Sequence, residues 1–134
     1  MRNVLKGFVG VAAVVAGTVV IPAGPAQAAY VCSKGELCLY EHYDRTGSVF
    51  VVPLGNGGQV RIREFRDHTF FNGTNLNDKV SSVDNRTDRR LTLWRHGDFG
   101  GPSQDVSANT KYSFSGLRVP AILRNDEASS LVLW

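Results

Sequence analysis

Two six-residue segments of this sequence repeat one pattern of oxygen-bearing side chains. Residues 77–82 read NDKVSS and residues 125–130 read NDEASS. Asp78 and Asp126 supply carboxylates, a Ser three positions after each supplies a hydroxyl, and the chain between them offers carbonyls. Calcium takes roughly six to eight such oxygens, whereas zinc and copper prefer the nitrogen or sulfur donors that both segments lack. These segments, called the hexamers below, therefore predict paired calcium sites.

The competing interpretation of each hexamer is ordinary turn chemistry. Asn, Asp and Ser are favoured in turns because their short side chains bond to nearby backbone groups, so one hexamer alone indicates a turn more often than a metal site. Two hexamers in the same position of a repeated unit favour calcium. Because each site has few formal charges, we expect modest affinity.

A repeated hairpin pattern precedes each hexamer. LCLYEHYDRTG at 37–47 aligns with LTLWRHGDFGG at 91–101. Each copy has an aromatic residue after alternating Leu and a Gly seven positions later, where the chain can take a positive φ and fold back. His42 and His96 occupy the same place in the two copies, each two residues before an Asp. Duplicated placement favours a shared structural role for these histidines over catalysis.

Residues 1–28 differ in character from the rest of the chain. Two basic residues precede an apolar run at 7–21, which is followed by helix breakers and the small-residue segment AQA. The run is shorter than the roughly 20 residues of a membrane-spanning helix, so the pattern predicts a secretory signal peptide cleaved after Ala28, with Ala29 as the alternative. We therefore expect an extracellular protein that has no membrane segment after cleavage.

Removal of this leader changes the charge balance. The whole sequence has 15 Lys and Arg against 12 Asp and Glu, and Arg2 and Lys6 belong to the leader, so 29–134 carries a formal net charge of +1. A charge this small gives no reason to expect a nucleic-acid partner. The length predicts a single domain at 29–134, built from two halves at about 30–86 and 87–134 and acting as a monomer.

Cys32 and Cys38 lie near the start of this domain. Export favours a disulfide between them, whereas their spacing does not match a Cys-x-x-Cys redox motif and zinc would need more ligands than lie nearby. Closing so short a loop is worth about 2.4 kcal/mol in the chain-entropy model. The pair would fasten the N-terminal segment to the first strand.

Short apolar segments separated by Gly, Asn, Asp and Pro predict an all-β protein. They show the alternation and the β-branched and aromatic content of strands, and no helical period with caps lies between them. Each half is too small to bury a core alone, so we expect the halves to pack face to face as two sheets. The predicted strands are 37–41, 48–53, 80–83, 91–95 and 131–134.

Together these motifs resemble the βγ-crystallin Greek-key pair. The likeness consists of an aromatic residue with Phe five and Gly seven positions later, followed by a hexamer, and it covers 32–134. The second copy has Trp94, Phe99 and Gly101, whereas the first copy has Arg45 in place of Phe99. This resemblance implies a βγ-crystallin-like sandwich of two Greek-key motifs.

The resemblance also implies how the hexamers would share two calcium ions. Each hexamer would give a hydroxyl and a carbonyl to one ion and its acid to the other, and a further carbonyl would follow each hairpin aromatic. Lys79 stands where the other hexamer has Glu127, so we expect unequal sites, the weaker on the loop with Lys79. The implied ligand residues are Asp78, Lys79, Ser81, Asp126, Glu127, Ser129, Glu41 and Arg95.

Among secreted bacterial members, LCLYEHYDRTG and FNGTNLNDKVSSVDNRT resemble the peptidase-inhibitor branch related to the actinobacterial metalloproteinase inhibitor. This likeness implies a proteinaceous inhibitor of extracellular peptidases, with metallopeptidases as the expected targets. Such inhibition needs an exposed, stiff loop, for which 53–74 and 107–121 are candidates. Inhibitors of that branch are expected to have a second disulfide, which 29–134 lacks. The predicted protease-contact residues are Arg61, Ile62, Arg63 and Phe65.

Catalysis has little support, because no Ser or Cys nucleophile context stands out, and we expect a non-enzyme. The competing function is a non-inhibitory, calcium-stabilised structural or binding module, or a killer-toxin-like antimicrobial protein. A toxin that acts on anionic surfaces would usually show a basic patch, and the sequence offers only the cluster of Arg61, Arg63 and Arg66.

Overall fold

Eight short strands account for most of the regular structure in residues 29–116 and 122–134, which the computed structural model describes. The signal peptide predicted at 1–28 lies outside the described residues. No helix in the described ranges is long and apolar enough to cross a bilayer. The strands are β1 (Leu37–Tyr40), β2 (Val49–Val51), β3 (Val60–Ile62), β4 (Ser82–Asn85), β5 (Leu91–His96), β6 (Gly100–Val106), β7 (Thr110–Ser113) and β8 (Ser130–Leu133). Short 3-10 turns lie at Tyr43–Arg45, Phe65–Asp67 and Gly97–Phe99.

Two four-stranded antiparallel sheets form, with strand orders β2-β1-β4-β7 and β3-β8-β5-β6. The all-β prediction is confirmed, but the halves do not each form a separate sheet. β3 comes from the first half and pairs with β8, while β7 comes from the second half and pairs with β4. This exchange gives β4 and β8 a neighbour on both sides, so the strands that follow the hexamers are internal.

The core lies between the two sheets. Leu37 and Leu39 of β1 and Leu91 and Leu93 of β5 are fully buried, because alternate residues of a strand face the same side of a sheet. Burial of each such side chain contributes about 1.5–3 kcal/mol relative to exposure. Phenylalanines from the connections complete the core, namely Phe65, Phe70 and Phe114.

Strand register places each hexamer beside its own hairpin. Tyr40 lies opposite Ser82 in the β1–β4 pair, and Trp94 lies opposite Ser130 in the β5–β8 pair. In both halves the preceding Ser of the hexamer donates its backbone N–H to the carbonyl of the hairpin aromatic at 2.9 Å. The sheet therefore holds the end of the hairpin strand against the end of the hexamer.

An N-terminal segment covers the outer face of the β1 sheet. The predicted disulfide between Cys32 and Cys38 is present. Cys38 and Tyr40 project from β1 and are buried with Val49 in a second, smaller apolar cluster. The Tyr40 hydroxyl donates to the Tyr30 carbonyl at 2.9 Å. The disulfide and this hydrogen bond hold the segment onto the sheet.

As pH rises from about 8 to about 11, we expect the free energy of unfolding of the Tyr40→Phe variant to fall less than that of the wild-type protein. Burial, and then the charge of Asp84, raise the pKa of Tyr40 above its ordinary value of 10.0. The folded state thus holds the phenolic proton more tightly than the unfolded chain does. The resulting stabilisation is complete below about pH 10 and is lost as pH rises through the folded pKa.

Urea-unfolding midpoints measured from about pH 8 to about pH 11 test this prediction. Tyr43→Phe, at an exposed position, is the control. If Tyr40→Phe and the wild type lose stability equally across this range, the prediction is wrong.

Candidate functional site

Each hexamer bends at its aspartate. Asp78 has a φ of 54° and Asp126 a φ of 55°, which is the left-handed region. Asp enters this region more readily than most residues because its short side chain can bond to nearby backbone. The chain then runs into β4 or β8, both internal strands. One backbone shape therefore recurs at both hexamers.

The two hexamers are hydrogen-bonded to each other. The Ser81 hydroxyl donates to Asp126 Oδ1 at 3.0 Å, and the Ser129 hydroxyl donates to Asp78 Oδ1 at 3.1 Å. Each Asp also donates its backbone N–H to a carbonyl of the opposite hexamer, at 3.1 Å from Asp78 and 3.3 Å from Asp126. The acid of each hexamer therefore lies beside the hydroxyl of the other, which is the crossed arrangement that the family resemblance implies.

The last Ser of each hexamer fastens it to the hairpin of the same half. The Ser82 hydroxyl donates to the His42 carbonyl at 2.6 Å and accepts the Arg45 N–H at 2.9 Å. In the second half, the Ser130 hydroxyl donates to the His96 carbonyl at 2.6 Å and accepts the N–H of the residue that aligns with Arg45 at 3.1 Å. Both serines are fully buried. Sequence reasoning assigned them no role beyond their place in the motif.

The hairpin histidines cover the glycines at which the chain turns. Gly47 has a φ of 74° and Gly101 a φ of 76°, so each needs the freedom of glycine. A Cβ at Gly47 would lie 2.5 Å from Cδ2 of His42, and a Cβ at Gly101 would lie 2.5 Å from Cδ2 of His96. The imidazoles thus pack where glycine side chains would stand, which matches the structural role predicted for them.

Two surface cavities lie at the crossed pairs. The first, called the Asp78 cavity, is lined by one group of the predicted ligand residues, Asp78, Glu127, Ser129 and Arg95. The second, called the Asp126 cavity, is lined by the remaining group, Asp126, Lys79, Ser81 and Glu41. The fold therefore brings the eight predicted ligand residues together in two sets of four.

The donors at both cavities fit a hard cation. Each cavity combines an exposed carboxylate with a Ser hydroxyl, and water can complete the coordination of an ion that takes roughly six to eight oxygens. No sulfur lines either cavity, and the imidazoles that do, those of His42 and His96, are packed on their glycines. The chemistry of the donors therefore matches calcium better than zinc or copper.

Glu64 is a cavity residue that sequence reasoning missed. It lines the Asp78 cavity and pairs with Arg66 at 2.8 Å. The next residue along the chain, Phe65, donates its N–H to the Ser129 carbonyl at 2.8 Å, which carries Glu64 to the second hexamer. No spacing in the sequence marks this residue, because the contact joins the connection of one half to the hexamer of the other.

Charged neighbours leave the two cavities formally equal. The Asp78 cavity has three carboxylates against two guanidiniums, and the Asp126 cavity has two carboxylates against one ammonium, so each carries a formal charge of −1. Lys79 and Glu127 alone would give the two cavities different formal charges, but the other charged residues cancel this difference. Unequal calcium sites stay a prediction.

The carboxylate of Glu127 forms ion pairs with two arginines. Its carboxylate pairs with Arg124 and, at 3.2 Å, with Arg95. Burial raises the pKa of Glu127, but hydrogen bonds from Arg124 and the charges of both arginines outweigh burial, so the pKa lies below its ordinary value. Glu127 therefore stays ionised and keeps these side chains at the rim of the Asp78 cavity.

Two of the predicted protease-contact residues are unavailable on the surface. Phe65 is 0% exposed and Ile62 is 8% exposed, because β3 directs Ile62 inward and the 3-10 turn after it carries Phe65 into the core. Arg61 and Arg63 are exposed, and both guanidiniums lie near the Phe99 ring, at 5.8 and 6.0 Å from its centroid. The other candidate segment, 107–121, ends outside the described residues.

The two-sheet architecture is that of a βγ-crystallin domain. A solved structure from work on the evolution of the eye lens βγ-crystallin domain fold has a TM-score of 0.58 and 22% identity, covering 80% of this chain and 92% of that chain. A βγ-crystallin from Ciona intestinalis has a TM-score of 0.54 and 23% identity, covering 72% and 96%. An archaeal βγ-crystallin has a TM-score of 0.50 and 22% identity, covering 76% and 100%. At these identities the likeness establishes the fold alone.

Residues 25–106 match the model of Peptidase inhibitor family I36, a span that includes β1 to β6 and the first hexamer. The chain therefore belongs to this family of peptidase inhibitors, and the recognition made from the sequence is confirmed. Among curated proteins, none matches the sequence. Membership of an inhibitor family suggests that the protein is not an enzyme.

We expect the two kinds of hexamer serine to differ in their effect on stability. In metal-free protein, Ser82→Ala should lower the free energy of unfolding by about 2 kcal/mol, because the fully buried Ser82 hydroxyl makes two hydrogen bonds and both are lost. Ser81→Ala should lower it by about 1 kcal/mol, because its partner Asp126 is exposed and water can replace the hydroxyl. Urea unfolding measures both values, and the pair Ser130→Ala and Ser129→Ala should repeat the order. Equal losses within each pair would contradict the prediction.

Proposed function

We propose that this protein is a secreted, calcium-stabilised inhibitor of extracellular peptidases, with metallopeptidases as its first targets. The observation that carries the proposal is the match of residues 25–106 to an inhibitor family. An inhibitor presents a stiff surface segment to the cleft of the peptidase, so that little conformational entropy is lost on binding. The exchanged strands and the crossed hexamers support this requirement, because they tie the two halves into one domain.

Secretion is part of the proposal. The leader predicted at 1–28 would direct export, and the Cys32–Cys38 disulfide belongs to the oxidising environment outside the cell. A secreted inhibitor would be in the same compartment as the extracellular peptidases that are its proposed targets.

Titration of thermolysin, a metallopeptidase, with the purified protein should remove its activity in proportion to the inhibitor added until equivalence. Tight-binding inhibition of this kind follows from a preorganised surface. A parallel titration of the serine peptidase subtilisin tests the preference for metallopeptidases. If neither peptidase loses activity at a large excess of the protein, the inhibitor function is wrong.

Calcium would be held at the Asp78 cavity and the Asp126 cavity. Asp78 and Asp126 would give carboxylates, Ser81 and Ser129 hydroxyls, and the neighbouring residues carbonyls. When bound, the ion would replace the crossed hydrogen bonds as the link between the hexamers. The proposal is supported by the all-oxygen donor set and by its repetition in two cavities. Modest affinity is expected, since each cavity has a formal charge of only −1.

Calcium should raise the melting temperature and EDTA should return it to the metal-free value. At a hundredfold excess over its Kd, an ion that binds only the folded state adds about 2.7 kcal/mol of stability per site. The double variant Asp78→Asn, Asp126→Asn should lose this response, whereas Asp88→Asn, an exposed acid elsewhere, should keep it. Identical melting curves of the wild type in calcium and in EDTA would refute the calcium sites.

A second candidate function is a structural or binding module without a peptidase target. The solved structures that share this fold favour it, because those reported above are described as crystallin domains. The killer-toxin version would use the exposed cluster of Arg61, Arg63 and Arg66 on an anionic surface. Absence of inhibition in both titrations, with a retained calcium response, would leave this function ahead.

A further inference from the structure

We propose that Phe71, at the tip of the turn formed by residues 70–74, is the side chain that enters the specificity pocket of the target peptidase; this inference rests on the proposed inhibitor function. Among the described residues, Phe71 is the most exposed aromatic side chain, at 69%. Its neighbour Phe70 is 1% exposed and belongs to the core. One phenylalanine thus anchors the turn while the next projects into solvent.

The backbone of this turn is unusually well restrained for a surface segment. All five N–H groups of residues 70–74 donate hydrogen bonds of 2.9 or 3.0 Å. Two of them close the turn on itself, from Phe70 to the Thr74 carbonyl and from Gly73 to the Phe70 carbonyl. Two others reach the start of the β2 region, from Phe71 to the Val49 carbonyl and from the next residue to a Ser hydroxyl. The segment is therefore fixed both internally and to the edge of a sheet.

Asn72 completes the restraint with its side chain. Its Oδ1 accepts the Thr74 N–H at 3.0 Å, and its Nδ2 donates to Glu41 Oε2 at 2.9 Å. Gly73 has a φ of 84°, a conformation that suits glycine. A peptidase that binds this turn would order little chain that is not ordered already, which is the condition for tight inhibition.

The ring of Phe71 packs against the N-terminal segment. Tyr30 meets Phe71 edge to face, with ring centroids 5.8 Å apart. The Tyr30 hydroxyl donates to the Glu36 carboxylate, and the Cys32–Cys38 disulfide holds the same segment on β1. The single disulfide therefore holds the segment whose Tyr30 contacts Phe71, and it braces this side of the turn where the family resemblance implies a second disulfide.

The chemistry of the tip defines the kind of partner. Its residues Phe71, Asn72 and Gly73 carry no charge, and a rigid aromatic side chain is a typical binding anchor because it offers large apolar area with few rotatable bonds. The fitting partner is a peptidase with a large apolar specificity pocket, which is found in enzymes that cleave beside bulky apolar residues. The exposed alternative, Arg61 with Arg63, lies over the Phe99 ring and would instead suit a peptidase that cleaves beside arginine.

The test compares inhibition constants of the full-length purified protein and its variants against thermolysin and trypsin. Phe71→Ala should weaken inhibition of thermolysin at least about thirty-fold, as truncation of an interface hot spot does. Phe71→Leu should stay within about a few-fold of the wild type, since the pocket needs bulk and apolar surface. Trp134→Ala, at an exposed aromatic position directly after β8, is the matched control and should leave inhibition unchanged.

A second variant tests the restraint separately from the anchor. Asn72→Ala keeps Phe71 but removes the two side-chain hydrogen bonds of the turn. It should weaken inhibition and allow thermolysin to cut within 70–74, which mass spectrometry of the incubated mixture detects. Melting temperatures of all variants show whether the fold is intact, and the exposed position of Phe71 predicts little change for Phe71→Ala.

The outcomes separate this inference from the function on which it rests. Wild-type inhibition of thermolysin that Phe71→Ala leaves intact would overturn the role of Phe71 and keep the inhibitor function. Inhibition of trypsin alone would do the same and would point to Arg61 and Arg63. Failure of the wild type to inhibit any peptidase would overturn both.

Discussion

The buried hydroxyls of Ser82 and Ser130 join each hexamer to the hairpin of its own half. Each donates to a hairpin carbonyl at 2.6 Å and accepts the N–H of Arg45 or Phe99, both of which have a positive φ. Both serines are at 0% exposure, and removal of either hydroxyl would break two hydrogen bonds, one to a carbonyl and one from an N–H. Each of these bonds fixes a hairpin, a hexamer and the start of an internal strand at once.

The hydrogen bonds of these two serines help to join the two halves into one unit. The hexamers are held where they can bond across to each other, and the exchange of β3 and β7 places them at the starts of internal strands. A segment attached to such a frame is restrained by hydrogen bonds, as the turn at 70–74 illustrates, since it is bonded to the edge strand β2. Stiffness of this kind is what an inhibitor of peptidases needs and what a bound cation would increase.

Most of the strands that could be predicted from the sequence are internal, and all of those that could not are edge strands. β1, β4, β5 and β8 are internal and, with the edge strand β2, coincide with or overlap the predicted strands, although the segment predicted at 80–83 begins two residues before β4. β3, β6 and β7 are edge strands, where water on one side permits Gly, Pro and charged residues that obscure the pattern. The same ambiguity explains the misplacement of Ile62 and Phe65 as protease contacts. A mixture of arginines with apolar residues resembles a surface loop, although the alternation of β3 turns Ile62 inward.

The repeat, the hairpins, the hexamers, the Cys32–Cys38 pairing and the family can all be recognised in the amino-acid sequence. These features are local, or they follow from the order of two similar units, so spacing and residue type are sufficient to specify them. Three features are visible only in the folded protein: which half contributes a strand to which sheet, the position of Glu64 at the Asp78 cavity, and the exposure of Phe71 beside the buried Phe70. Those outcomes depend on contacts between distant parts of the chain, and only the packing of both sheets around one core selects among them.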